Sequence, residues 1–409
     1  MNISVASALS SPAAARVSSL RASTLSPNAA FYLQMSMLVS FLAGSSVPTP
    51  LYSLYQAEWG FSPVTLTAIF GIYAVAVLAA LLTFGSLSDY IGRRPVLIGA
   101  TLVQAATMLL FTTATGVNDL LVARIVQGLA TGAAAGAVGA AMMDIDRVKG
   151  PTANAVASMM GTGLGSIVSG LMIAYLPSPT HTVYLVLLAI FIAQAVGASL
   201  MPETATPRPG ALASLKPRFN LPKAVRQPLL LGIPVLIAAW ALAGFYGSLG
   251  PAVVRNLLGS SSSVMGGLTL FALAGSGATA VLLLQNLQPR RMMVIGASAL
   301  LAGVSVTLIG MEQASVAVFF AGAVVTGAGF GTGFQGAVRS VVMQAGPQER
   351  AGVLSIVYVV CYLAMGVPAV IAGLMIVHGG GVLATAEEYG AAVMGLAALA
   401  LAGTALRKA

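Results

Sequence analysis

Nineteen Lys and Arg, ten Asp and Glu, two His and one Cys are all the charged, imidazole and thiol chemistry that the 409 residues carry. One spacing stands out, Gly85-Ser86-Leu87-Ser88-Asp89-Tyr90-Ile91-Gly92-Arg93-Arg94-Pro95. It reads as a tight charged reversal between two apolar runs. Gly92 permits the positive φ of a sharp turn, and Pro95 suits the first position of a new helix. Gly85 allows close helix approach. Asp89 stands at the end of the preceding run, where the helix dipole disfavours negative charge. It therefore calls for a partner beyond its own helix: Arg93, Arg94 or the start of a neighbouring helix.

The second candidate is Arg124, in Arg124-Ile125-Val126-Gln127-Gly128-Leu129-Ala130-Thr131-Gly132, about five residues into an apolar run. An arginine at membrane depth costs about 2.5–3.5 kcal/mol on insertion scales, so it faces a cavity or a partner. The other reading is an arginine whose stem snorkels to the nearby headgroups. Gly128, Gly132 and Gly136 recur every four residues, and Gly161 and Gly165 repeat that spacing in the next run; both stripes predict close helix packing.

Catalytic chemistry finds no footing. His181 and His378 lie in separate loops, and Cys361 lies alone in an apolar run, without metal-ligand spacing or a disulfide partner. An intramembrane enzyme needs a Ser/His or His/Asp/Glu constellation at depth, and a nucleotide-driven pump needs a Gly-x-x-x-x-Gly-Lys-[Ser/Thr] loop. Neither pattern occurs. No catalytic residue, metal or organic cofactor is expected.

The elements that hold these residues follow from composition. Apolar residues make up 58% of the chain and charged residues 7%, with a mean hydropathy of +0.94. A soluble chain carries about a quarter charged residues. The surface here must face lipid. Twelve apolar runs, each near the roughly 20 residues that cross a bilayer, fall at 30–50, 64–88, 95–115, 119–142, 153–177, 183–201, 229–250, 264–286, 292–311, 315–341, 353–377 and 387–405. They are continuous rather than alternating, so helices are expected; an open sheet edge has no partners in lipid. Residues 1–28, rich in Ser and Ala without a long apolar core, read as a disordered cytoplasmic tail rather than a cleaved signal.

The net charge of +9 does not point to nucleic acid, because the basic residues fall in short connectors rather than on one face. With the amino terminus inside, sixteen of the nineteen lie on the cytoplasmic side; Arg255 lies outside, and Arg124 and Arg339 lie within runs. That asymmetry predicts a multi-pass protein of the cytoplasmic membrane with both termini cytoplasmic. The Pro-rich basic connector 202–228 divides the chain into bundles at 29–201 and 229–409. The halves also repeat: Gly92-Arg93-Arg94-Pro95-Val96-Leu97-Ile98-Gly99-Ala100 aligns with Pro289-Arg290-Arg291-Met292-Met293-Val294-Ile295-Gly296-Ala297, 197 positions on. A duplicated six-helix unit suits a transporter that rocks about a site between its halves. The expected fold is all-α and membrane-integral, with twelve transmembrane helices in two pseudo-symmetric six-helix bundles.

On these residues the chain resembles the major facilitator superfamily. Its loop signature, Gly-x-x-x-Asp-x-x-Gly-Arg-Arg, is complete at Gly85, Asp89, Gly92, Arg93 and Arg94. The resemblance implies that Asp89 clasps the halves together on the cytoplasmic face, against the helix that starts near Arg350-Ala351-Gly352. In the second copy Asn286 replaces the acid and Pro289 the glycine, which makes the clasp one-sided. Arg124, Gln127 and Gly128 are similar to the family's fourth-helix Arg-x-x-Gln-Gly, associated with proton-coupled export. The resemblance therefore implies a secondary active transporter in the twelve-helix drug:proton antiporter branch, working as a monomer and driven by a proton gradient. The fifth run departs from that branch: Gly161-Thr162-Gly163-Leu164-Gly165 has the glycines without the Gly-Pro pair.

Two roles stay open in the sequence. No acid lies deep in a run: Asp89, Asp144, Asp146, Glu203 and Glu349 fall at the cytoplasmic edge, Glu58, Asp119, Glu312, Glu387 and Glu388 at the outer edge. Proton coupling is assigned to Asp89 acting with Arg124 and Gln127. For the substrate cavity, aromatic, Met and polar residues within runs are the candidates: Tyr73, Met159, Trp240, Phe245, Tyr246, Phe334, Gln335, Tyr358 and Tyr362. Export of a small amphipathic molecule is the first reading. The alternative is a specific metabolite, such as a sugar, amino acid or organic anion, whose charge Arg124 or Arg339 would bind.

Overall fold

The computed structural model describes residues 25–217, 219, 221–259, 262–346 and 349–405. Most of the 1–28 tail lies outside the described residues, as do Arg218, Arg407 and Lys408. Among the described residues, sixteen α-helices follow in order. In the first half they are α1 Pro27–Ser46, α2 Pro48–Trp59, α3 Pro63–Phe84, α4 Ser88–Ile91, α5 Arg93–Thr112, α6 Val117–Ile145, α7 Gly150–Tyr175 and α8 Pro179–Ser199. The connector carries α9 Ala211–Ser214. The second half holds α10 Lys223–Ser248, α11 Gly250–Leu258, α12 Ser263–Leu284, α13 Pro289–Glu312, α14 Val316–Val342, α15 Arg350–Met375 and α16 Gly381–Ala405. No strand occurs among the described residues.

Helix starts are written in the sequence. Ser26, Ser62, Ser262 and Ser315 each accept a backbone N–H three residues on, and proline opens α1, α2, α3, α8 and α13, the position where a missing N–H costs nothing. Among the described residues, eleven segments are long and apolar enough to cross a membrane. The last runs 55 residues, Arg350–Thr404. As one straight helix it would measure about 80 Å, against a hydrocarbon core of about 30 Å. It folds back instead at Gly379 (φ 116°) and Gly381 (φ 65°), which gives twelve transmembrane helices.

Three boundaries differ from the sequence reading. The first segment does not stop at 50 but continues as α2 to Trp59, 33 residues in all. It breaks at Val47, because Pro48 and Pro50 cannot donate to the turn before them. Asp89 does not close the second span; α3 ends at Phe84, and the acid sits on the separate turn α4. The final helix begins at Gly381 rather than 387, so Glu387 and Glu388 lie inside it, on an exposed face.

α1, α3 and α5–α8 pack into one bundle, α10 and α12–α16 into the other. They meet along two seams, α7 against α12 and α3 against α15. Both seams are antiparallel, with Gly373 on Thr67 and Gly366 on Ala74 in one and Gly170 on Ser263 and Gly163 on Phe271 in the other. The Arg93-Arg94 turn, the connector packed on Tyr90 and the Arg290-Arg291 turn therefore share one face of the molecule, the loop face.

Candidate functional site

The loop signature forms a charged knot. Gly92 has φ 101° and ψ 153°, a region that only glycine occupies without strain. This conformation turns the backbone N–H groups of Arg93 (2.8 Å) and Arg94 (3.1 Å) onto the carboxylate of Glu203, at the far end of the bundle's chain. The Arg93 guanidinium then bridges Asp89, Ser88 Oγ at 2.7 Å and Asp144 at 3.1 Å. Arg94 donates to the Ser199 carbonyl. The connector straps across the knot: Arg208 N–H reaches the Tyr90 carbonyl at 2.9 Å, its guanidinium lies 4.4 Å from the Tyr90 ring centroid, and Ser86 donates to the Ser214 carbonyl at 3.2 Å. A pocket of about 360 Å³, lined by Asp89, Arg93, Asp144, Thr204 and Arg208, opens beside it. Nearby, Asp146 accepts the N–H groups of Lys149 and Val148, which hold its carboxyl below the usual carboxylate range.

Arg124 is fully buried, not snorkelling. Its Nε donates to the Tyr52 hydroxyl at 2.8 Å, and Nη2 donates to that same oxygen. Nη1 donates to the Ser45 carbonyl at 2.8 Å and to Gln127 Oε1 at 2.7 Å. Gln127 Nε2 in turn donates to the Gly44 carbonyl at 2.9 Å. The break between α1 and α2 frees the Gly44 carbonyl for Gln127. A helix would pair Gly44 C=O with the N–H of residue 48, and proline has none. Arg124 also stands 5.0 Å from the Tyr73 ring centroid. Its partners are all neutral. Gln104, buried within reach of Gly44, has neither amide atom hydrogen-bonded.

The seams collect the aromatic candidates. Trp240 lies 4.9 Å from Tyr362 and 5.5 Å from Phe334, centroid to centroid. Trp240 and Tyr362 pack on Phe70, Ala74, Met365 and Ala369, which brings both halves into one apolar surface. Met159, from the first half, packs with Ala278, Phe330 and Phe334 of the second. Tyr73, one turn from Phe70, is the ring between this surface and Arg124.

Other candidates fall elsewhere. Phe245 and Tyr246 pack within the second bundle against Tyr389 and Phe319, so they belong to its core rather than to the seam. Tyr358 and Gln335 are half-buried, with no side-chain hydrogen bond among those described. Arg339 is engaged with the Gln285 carbonyl at 2.7 Å. Asp89 and Arg124 are not brought together. Arg124 and the Arg93 partner Asp144 lie twenty residues apart on α6, about 30 Å at a helical rise. Glycines 128 and 132 face Ala76 and Ala80 of α3, where a Cβ would come within 2.6 Å of each methyl, and Gly161 and Gly165 lie against Val39 and Ala43 of α1. Tyr52, Pro48, Asp144 and Glu203 carry the two networks without having been singled out from the sequence; the Pro48-Thr49-Pro50 break was the available signal.

Two six-helix bundles with an aromatic seam between them define a membrane transporter. A family model described as Major Facilitator Superfamily matches residues 35–298, and the chain belongs to that family. Its fold is similar to the human organic anion transporter MFSD10 (TETRAN), with a TM-score of 0.66 and 17% identity over 92% of this chain and 100% of the other. The nucleoside transporter NupG, as its D323A mutant, gives a TM-score of 0.70 and 13% identity over 91% and 98%. The 4-hydroxybenzoate transporter PcaK of Pseudomonas putida is 37% identical over 76 residues, which is 19% of this chain and 17% of that protein's length.

Proposed function

We propose that the chain carries a small amphipathic organic molecule across the cytoplasmic membrane by alternating access, exporting it against inward proton flow. The observation that carries this reading is the seam cluster: Trp240, Tyr362 and Phe334 from one half meet Phe70 and Met159 from the other. A surface shared by both halves changes shape when they rock, which is what alternating access requires. The relatives named above for 4-hydroxybenzoate, an organic anion and nucleosides support a small organic cargo. The Arg124-Gln127-Gly128 pattern supports proton coupling, with Arg124 as its centre and Asp89 as a separate conformational latch.

A cytoplasm-facing state is part of this reading, supported by close contacts at the far ends of the seams, while toward the loop face α7 and α12 meet at Met159, Ala278 and Val281. Thr49 donates to the Gly247 carbonyl at 2.9 Å, Gly373 lies against Thr67 and Gly170 against Ser263, all away from the loop face. Asp89 meanwhile pairs inside its own half with Arg93. Its clasp onto the start of α15 belongs to the opposite state. The test is transport in inverted vesicles under an imposed pH gradient, with a panel of amphipathic dyes and drugs. Gradient-dependent accumulation is expected; a panel in which nothing moves sinks the reading.

A second reading has its own observation. Arg124 lacks an acidic partner, which suits uptake or export of one anionic metabolite class. A thermal-shift screen separates the two, since a specialist responds to a single class.

A further inference from the structure

Arg124 presents two edges, and they are used differently. The Nη1 group is fixed by the Ser45 carbonyl and Gln127 Oε1. The Nε/Nη2 edge, two parallel N–H groups, points both of its bonds at the single oxygen of Tyr52. That edge matches the two oxygens of a carboxylate, and arginine is selected where planar, bidentate recognition of such a group is needed. A neutral phenol oxygen is a weaker acceptor, and here it serves two charge-assisted donors at once. The ion pairs among the described residues are Arg93 with Asp89 and Asp144, and Lys149 with Asp146, all at the loop face. The charge of Arg124 is therefore buried against neutral dipoles alone, an arrangement that leaves a partner to be supplied.

Resting on the carrier reading above, we propose that Tyr52 is a stand-in, and that the carboxylate of a small organic acid replaces its hydroxyl on Arg124. The cargo's apolar body then lies on the seam surface of Trp240, Tyr362 and Phe70, with the Tyr73 ring between body and charge. The fold supplies the means of exchange. Tyr52 sits on α2, which is set apart from α1 by the Pro48-Thr49-Pro50 break and tied to the other half by Thr49 on the Gly247 carbonyl. A rocking of the halves that moves α10 thus draws on α2 and lifts the Tyr52 hydroxyl from Arg124. Nothing covalent changes; one acceptor leaves and another arrives.

The test uses the full chain in lipid nanodiscs and a panel of small aromatic and aliphatic carboxylates, each beside its own carboxamide. Binding is read by thermal shift and by Trp fluorescence. Wild type is expected to prefer at least one carboxylate over its amide by about tenfold or more, about 1.4 kcal/mol. Tyr52→Phe, which removes the competing oxygen and keeps the ring, is expected to tighten that carboxylate about threefold to tenfold and leave the amide unchanged. Arg124→Gln should abolish the preference. Equal binding of every acid and amide by wild type overturns the proposal, as does a Tyr52→Phe protein that loses acid and amide affinity alike. Where amides and neutral amphiphiles are carried in vesicles as well as acids, the carrier reading stands and the stand-in falls. Where nothing is carried, the carrier reading falls first.

Discussion

Glu203 occupies the space that a side chain at position 92 would need: a Cβ on Gly92 would come within 2.5 Å of the Glu203 Oε2. The bare backbone there lets one carboxylate take the N–H groups of both Arg93 and Arg94. Gly92→Ala therefore meets two penalties, a backbone region that costs a non-glycine residue about 1–3 kcal/mol and the displacement of Glu203. A lower melting temperature than wild type is expected. Gly99→Ala, seven residues on in a helix interior with open space around it, should shift melting upward by the helix propensity difference of about 0.5–1 kcal/mol. Equal shifts at both positions would remove the knot from the account.

Arg93 is shared between two acids, which makes them non-additive. Asp89→Asn leaves Arg93 held by Asp144, and Asp144→Asn leaves it held by Asp89. Each single change should lower stability little, because both pairs are partly solvent-exposed and such pairs are worth about 0–1 kcal/mol. The double change strands the guanidinium and should cost more than the sum, with a coupling of about 0.5 kcal/mol or more. Chemical denaturation of the four proteins in a mild detergent measures it. A purely additive result means that Arg93 does not depend on either acid. Transport separates the two sites, since Asp89→Asn is expected to slow it well beyond its effect on melting.

The sequence carried the fold because lipid enforces a simple rule. Continuous apolar runs separated by basic connectors have no other arrangement in which every backbone group is bonded, and the Gly92-Arg93-Arg94 repeat at Pro289-Arg290-Arg291 marked the two halves. The loop knot was half legible. Asp89 and Arg93 sit four residues apart and announce each other, but Asp144 and Glu203 arrive from the ends of α6 and α8, and nothing local to Arg93 points to them. The same holds for Arg124. Its depth was readable from the run around it, yet Tyr52 lies 72 positions away, on a helix that exists as a separate piece only because of two prolines. Aromatic candidates were chosen by residue type alone, so type could not separate Trp240, at the seam, from Phe245, five residues and more than one turn further along the same helix and packed on Tyr389.

Trp240 offers a direct readout of that seam. The chain has two tryptophans. Trp59 stacks on Tyr55 at 4.7 Å in the first bundle, whereas Trp240 contacts Phe334 and Tyr362 and leaves its indole N–H without a partner. A buried indole N–H without an acceptor is available to a polar group of the cargo. Ligand-dependent quenching should persist in Trp59→Phe and vanish in Trp240→Phe. The reverse pattern places the cargo away from the seam.

Pro48 should matter more to transport than to folding. Its missing N–H leaves the Gly44 carbonyl unpaired, and Gln127 fills that position at 2.9 Å. Pro48→Ala restores an N–H four residues after Gly44, so the helix has its own donor for that carbonyl and competes with Gln127 for it. A Gln127 displaced in this way releases Nη1 of Arg124, and a straighter helix carries Tyr52 off its present path. Proline is worth about 3 kcal/mol less than alanine within a helix, although its place at the start of α2 reduces that difference, so melting should rise or hold. Transport in vesicles should fall about tenfold or more, because the break is what lets α2 follow α10 while α1 stays with its bundle. Melting and transport that both fall would mean the break is needed simply to fold; transport that stays at the wild-type rate would mean α1 and α2 need no joint between them.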